Sequence, residues 1–321
     1  MGSVNPFITK SDDLVTSPAA RRDGFLEVAL HKSGISNVYL DQAKALQTNL
    51  KENTNRSQDI LNLAKERKTL LLAAGLSTKA QGNLTDDDKK QILQEFEEKV
   101  IRPCGQKYID EIVYRYLLSL GEQLGGKMRN VIGDIAREKL SRCIIAQLRI
   151  LDFSFSIHCN QGKWIDGSEC TEDNMKTVKA IRWECDGHQR TLLHNINVPN
   201  LGTDNKPKNV DIVVFSKFVN KIKGNDLKDI LKDQKNFVVM GELKGGFDPA
   251  GADEHWKTTR GALERIRASY RRVNIAFVGA AIEKSMAAEI FNQLQSKDIS
   301  NAANMTNCDQ MNSFCKWLVN Q

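Results

Sequence analysis

Residues 237–246 read FVVMGELKGG and residues 209–215 read NVDIVVF. Both are short apolar runs rich in valine, the texture of buried strands. Side chains alternate along a strand, so Glu242 and Lys244 point to one face while Leu243 points to the other and joins a core. If the two runs pair as neighbours, Asp211, at the start of its strand, meets Glu242 and Lys244 at one end of a sheet. Two carboxylates and one ammonium then converge on a small volume. Gly245 and Gly246 follow, where the lack of a side chain would let a bulky backbone approach.

Working outward, Phe153–His158 alternates like a strand, and Thr177–Trp183 and Thr191–Val198 flank the turn pair Asp186-Gly187, a hairpin signal. A loop at Asn200–Lys208 precedes the first of the two central runs, and a lysine-rich loop at Lys221–Lys235 separates them. Asp253–Tyr270 reads as a helix, Val273–Ala280 as a strand, Ile282–Leu294 as a helix, and a short last helix holds Phe314, Trp317 and Leu318. Upstream the pattern is helical. Ser57–Ala74 is one helix. Thr85 caps another whose first turn holds Asp86, Asp87 and Asp88, facing the positive end of the helix dipole. Tyr108–Leu120 follows, Gly125-Gly126 breaks the chain, and Asn130–Leu151 restarts with an apolar face. The expected fold is α/β (α+β): residues 1–150 mainly helical, residues 151–321 a mixed sheet flanked by helices. No repeat or low-complexity tract interrupts it.

The bulk numbers permit this and exclude little else. The 321 residues are 40% hydrophobic with a net charge of +6, which allows a nucleic-acid partner without requiring one. Seven cysteines at irregular spacing fit a reducing cytoplasm better than a disulfide framework. The loose set His158, Cys159, Cys170, Cys185 and His188 lacks zinc-site spacing. No apolar run is long enough for a membrane span, and residues 1–13 carry no secretory pattern.

The triad suits phosphodiester hydrolysis. Mg2+ takes hard oxygen ligands and needs only one or two protein carboxylates; a bound divalent ion stabilises phosphate charge and acidifies water, and a lysine beside it holds the water and offsets charge. An E-x-K alone is often only a surface ion pair. Downstream, Asp248-Pro249-Ala250-Gly251 reads as a turn, and His255 falls in the first turn of the next helix, where an imidazole can accept a proton from water. Arg260, Arg265, Arg267, Arg271 and Arg272 follow, mostly as a solvated face.

The stretch GELKGGFDPAGADEHWKT, with KNVDI upstream, GAAIE downstream, and LLAAGLSTKA, LTDDDKK, IDEIVYRYLL, LGGKMRNV and HQRTLLHNINVP elsewhere, resembles the AvaI/BsoBI type II restriction endonucleases over most of the chain beyond the first fifty residues. The resemblance implies a PD-(D/E)xK core, a helical domain, and a homodimer around double-stranded DNA that cuts the degenerate palindrome CYCGRG after its first cytosine. It implies Asp211, Glu242 and Lys244 as the metal and catalytic set, with Mg2+ on the two carboxylates and other divalent ions able to substitute. It implies His255 as general base, Lys79 and Asp248 facing the degenerate base pair, and Lys208 as a DNA contact. No nucleotide cofactor and no membrane are expected, and the setting is a bacterial restriction system in the cytoplasm. Val210 stands where the wider nuclease pattern has proline, a position that shapes backbone and does no chemistry. Two other readings stay open on the residues: a repair-type nuclease directed by DNA structure, and a DNA-binding protein that does not cut.

Overall fold

The computed structural model describes residues 5–160, 162–201, 206–248 and 252–321, without the side chains of Ala252, Asp253 and His255. The expected turn at 249–251 and part of the Asn200–Lys208 loop lie outside the described residues. The chain separates into two compact units, residues 26–130 and residues 1–25 together with 131–321.

The sheet unit contains eight strands among the described residues: β1 (Phe155–His158), β2 (Trp164–Asp166), β3 (Ala180–Cys185), β4 (His188–Val198), β5 (Lys208–Phe215), β6 (Phe237–Lys244), β7 (Asn274–Gly279) and β8 (Asn301–Asn304). They form one sheet in the order β2-β1-β3-β4-β5-β6-β7-β8. Pairing is antiparallel as far as β6 and parallel for β6-β7-β8, so the mixed sheet expected from the sequence is present. The β3-β4 hairpin turns on Asp186 (φ 50°) and Gly187 (φ 77°), the two left-handed residues a tight hairpin needs.

Helices follow the same chain order: α1 (Pro18–Asn53), α2 (Arg67–Ala73), α3 (Thr78–Gln81), α4 (Asp86–Phe96), α5 (Tyr108–Ile150), α6 (Glu172–Met175), α7 (Asn225–Lys232), α8 (Ala252–Ser269), α9 (Lys284–Gln295) and α10 (Cys308–Val319). Both sheet faces are covered. One buries Val213, Phe215, Met240 and Phe277 with Trp256, Leu263 and Ile266 of α8 and Ile290 of α9. The other buries Ile212, Val214, Leu243 and Val278 with Leu140, Ile144 and Leu148 of α5 and Phe314 and Leu318 of α10. No described helix is long and apolar enough to cross a membrane.

Three expectations need correction, besides the single helix expected over Ser57–Ala74, which divides into a 3-10 segment at Ser57–Asn62 and α2. The division at residue 150 is displaced, because the last twenty residues of α5 and the first twenty-five of the chain belong to the sheet unit. Ala136, Leu140, Ile144, Ile145 and Leu148 bury their side chains in its core. The N-terminal strap is tied there by hydrogen bonds: Asn5 Nδ2 donates to the Gln310 carbonyl (2.8 Å), Thr16 Oγ1 to the Ala280 carbonyl (2.8 Å), and Asn304 Nδ2 to the Leu14 carbonyl (2.9 Å). Secondly, Gly125-Gly126 does not break the helix; α5 runs through it. A helical glycine costs only about 1 kcal/mol, and Leu124 and Met128 are buried on either side. Thirdly, the Lys221–Lys235 segment is not all loop, since Gly224 (φ 90°) leads into α7.

The helical unit, residues 26–130, packs Leu46, Leu50, Ile60, Leu70, Leu71, Phe96, Ile101 and Ile112. Thr85 caps α4 as expected, its hydroxyl accepting from the Asp88 amide while the Asp88 carboxylate accepts from the Thr85 amide. A buried acid sits inside this unit: Glu97 accepts from Arg102 (2.5 Å, 3.2 Å) and from Ser57 Oγ (2.6 Å). Arg102 foremost holds its carboxyl below the usual range.

Candidate active site

Strands β5 and β6 are antiparallel neighbours, so the beginning of one lies beside the end of the other. Asp211 is the fourth residue of β5, not its first, and Glu242 and Lys244 close β6. The three side chains meet. Lys244 Nζ donates to Asp211 Oδ2 at 2.9 Å and to Glu242 Oε2 at 2.6 Å. The Leu243 amide donates to the same Asp211 oxygen at 3.0 Å, while its side chain packs in the opposite core.

The electrostatics of this cluster are unbalanced. Glu242 is almost wholly buried, its side chain 7% exposed against 35% for Lys244. Burial, followed by the negative charge of Asp211, pushes its carboxyl up to about 7 against the pull of Lys244. Burial alone would lower the Lys244 ammonium, but the two carboxylates outweigh it and raise its pKa. One ammonium between two close carboxylates leaves a net negative hole in a low-dielectric place.

Asp211 occupies a break in both strands. Val213 and Phe215 share a core with Val210, although regular alternation would set Val210 on the other face. On β4, Leu193 shares that core with Ile196 and Val198, the same change of phase. The register passes from His194–Ile212 to Ile196–Val210, and Asn195, with φ 56°, and Asp211 form no registered pair. On its other side the β5–β6 register ends at Ile212–Gly241. Outside both ladders, Asp211 is free to turn its carboxylate to the end of β6.

Behind it lies a polar seam that the sequence reading missed. His194 Nδ1 lies 3.4 Å from the Asp211 carbonyl and its Nε2 lies 3.1 Å from Ser141 Oγ of α5. Burial, then nearby Arg137, pushes the His194 imidazole down to about 4. Arg137, one turn before Ser141, pairs with Asp134 and feels the Asp211 charge. It lines a cavity of about 320 Å3 with Asn160, Thr177 and Lys179. Ser141 and Arg137 sit four apart on a helix that looked merely apolar, and that spacing was the available signal.

The loop after β6 is fixed by packing. A Cβ on Gly245 would meet Ala136 Cβ at 2.5 Å and the Ile132 carbonyl at 2.9 Å. The glycine therefore serves close helix packing, not the approach of a bulky ligand as expected; Gly246 has open space. Phe247 is buried, with its ring where a side chain at Gly24 would be (2.2 Å) and with Lys139 Nζ 5.7 Å from its centroid.

Asp248 is exposed directly after Phe247. His255 falls in the first turn of α8, with its side chain outside the described residues. Lys208 opens β5, half-buried and paired in register with Val198. Lys79 is exposed on α3 in the helical unit. Among the described residues there is no group of three or more His, Cys, Asp and Glu able to hold a metal, and all seven cysteines are free thiols.

The sequence profile of the family described as restriction endonuclease BsobI matches residues 5–321. The type II restriction enzyme AvaI of Nostoc sp. strain PCC 7120 is 39% identical over 317 residues, covering 97% of this chain and 98% of that enzyme. The type II restriction enzyme BsoBI of Geobacillus stearothermophilus is 39% identical over the whole of both chains. With end-to-end likeness of this kind wrapped around a two-carboxylate, one-lysine cluster at paired strand ends, the chain belongs to the BsobI family of restriction endonucleases.

Proposed function

We propose that this endonuclease cuts double-stranded DNA at CYCGRG after the first cytosine, as a homodimer, using Mg2+ held by Asp211 and Glu242. The observation that carries the reading is the single ammonium of Lys244 shared between two carboxylates. The residues fit a divalent cation. They offer hard oxygen donors, and the raised pKa of Glu242 marks a site short of positive charge. Two carboxylates with waters completing the shell is the usual Mg2+ arrangement.

When bound, the ion acidifies a water and stabilises charge on the scissile phosphate. The chain supplies the rest. Asp211 and Glu242 would hold the ion. Lys244 orients the attacking water and meets the negative charge that grows on the phosphate. His255, one turn into α8, takes the proton from that water. Lys79 and Asp248 read the degenerate pair. Purine N7 accepts from a lysine in both A and G, and a carboxylate accepts from the amino group of A or C, whichever the pair presents. Lys208 contacts the duplex.

A palindromic site maps onto a two-fold dimer. Large apolar side chains left exposed in the helical unit support association: Leu26 and Leu30 on α1, Tyr114 and Leu118 on α5, the last 71% exposed. The enzyme acts in the cytoplasm, on the DNA found there.

Digestion of a plasmid of known sequence with Mg2+, beside an EDTA control, tests the reading. Discrete fragments ending at CYCGRG are expected. Random degradation, or retention without cutting, would overturn it.

A further inference from the structure

Asp211 must aim its carboxylate from a place where neither neighbouring strand holds its backbone in register. In a regular ladder the peptide groups fix each side chain's direction. Here β4 and β5 both change phase, at Asn195 and Asp211. Something else has to hold the peptide.

His194 is the group in position to do so. It is the last β4 residue before the break, level with Ile212, and faces α5. A carbonyl only accepts, so Nδ1 carries the proton and donates to the Asp211 carbonyl. The other nitrogen, Nε2, is then the acceptor, and the Ser141 hydroxyl donates to it. The tautomer is set by these two contacts together. Ser141 stands on α5, whose apolar residues Leu140, Ile144 and Leu148 are locked in the core, so the relay ends on a rigid support.

We infer that His194, oriented by Ser141, is a positioning residue that pins the Asp211 peptide and thereby aims the Asp211 carboxylate at its cation. The inference rests on the cation reading proposed above. It assigns His194 no contact with DNA, water or metal; it acts through Asp211. Outer groups of this kind tune cation affinity by about 10- to 100-fold.

The test exploits the two ends of the imidazole. An asparagine amide reproduces the Nδ1 donor, whereas a glutamine amide reaches the Nε2 position and leaves the Asp211 carbonyl without a donor. Mn2+ binding to the protein without DNA is followed by electron paramagnetic resonance for the wild type, His194→Asn, His194→Gln and Asp211→Ala, with thermal unfolding of each. The expected result is a Kd for Mn2+ raised about tenfold or more in His194→Gln and within about threefold of wild type in His194→Asn, with the Mg2+ concentration for half-maximal cleavage moving in parallel. Equal Mn2+ affinity in His194→Gln and wild type overturns the inference, and so does an equal loss in both His194 variants, the mark of a merely structural residue. If Asp211→Ala binds Mn2+ like the wild type, the cation reading itself falls and takes the inference with it. Should His194→Gln fail to fold, Ser141→Ala serves in its place. It leaves the imidazole unoriented and is expected to weaken Mn2+ two- to fivefold; unchanged affinity there overturns the inference.

Discussion

Two buried glutamates, one in each unit, have opposite electrostatic surroundings. Glu97 in the helical unit is met by a forked arginine and a serine hydroxyl, and its carboxyl is held below the ordinary range. Glu242 in the sheet unit shares one ammonium with a second carboxylate, and its carboxyl is pushed up to about 7. The first is a satisfied ion pair that stabilises its surroundings. The second is left wanting charge, which a structural ion pair has no reason to be and a cation site has every reason to be.

The contrast can be broken most sharply by cutting. Glu242→Ala is expected to lower cleavage by at least about a thousandfold, of the order seen when a catalytic electrostatic group is lost, while sequence-specific DNA binding in a gel-shift assay stays close to wild type. Glu97→Ala is expected to leave the chemistry intact and to lower stability by roughly 2 kcal/mol, because Arg102 and Ser57 lose their partner. Wild-type cutting by Glu242→Ala would end the distinction between the two acids.

Stability against pH sharpens it further. A raised folded-state pKa means the protonated form of Glu242 is favoured by folding. Its contribution is complete below about pH 4.5 and is lost as pH rises through about 7. The contribution of Glu97 has the opposite sign. It is present above the usual carboxylate range and is lost only as pH falls below it. Without divalent ions, Glu242→Gln is therefore expected to be more stable than wild type at pH 8, by about 1 kcal/mol, and Glu97→Gln less stable. Melting temperatures of the three proteins between pH 5 and 8.5 give the comparison. In the same range, half-saturating Mg2+ is expected to rise about tenfold per unit below pH 7, since protons compete for the carboxylate.

The smallest effects concern glycines that look alike in the sequence. Gly245→Ala drives a methyl into Ala136 and the Ile132 carbonyl and is expected to cost about 1–3 kcal/mol and to slow cleavage, as overpacking does. Gly125→Ala, in the middle of α5 with open space around it, is expected to add up to about 1 kcal/mol. Equal unfolding midpoints for the two variants would remove the packing role given to Gly245.

That pair also shows what a sequence conceals. The meeting of Asp211, Glu242 and Lys244 was legible because strand alternation is a strict rule and β5 and β6 are strongly apolar. The continuity of α5 was not, because glycine's cost is small beside the burial of Leu124 and Met128. Long α1 was overlooked because its apolar residues make no strong stripe, several of them remaining exposed. Strand β8 reads Asn-Ala-Ala-Asn, a turn-like composition, yet all four residues are buried beside β7. The phase break at Asp211 was hidden too. It depends on Asn195 adopting φ 56°, which asparagine tolerates but does not announce.

The N-terminal strap imposes an order of events on synthesis. Asn5, Leu14 and Thr16 find their partners at residues 280–310, so this strap is seated only after those far later residues have been made. Contacts spanning nearly the whole length form late and slowly. Residues 26–130 have all their sequence in hand long before then and can fold early, whereas the sheet unit closes only once residues 280–310 have been made. A half-made copy of this nuclease is thus a folded helical body joined to an open sheet.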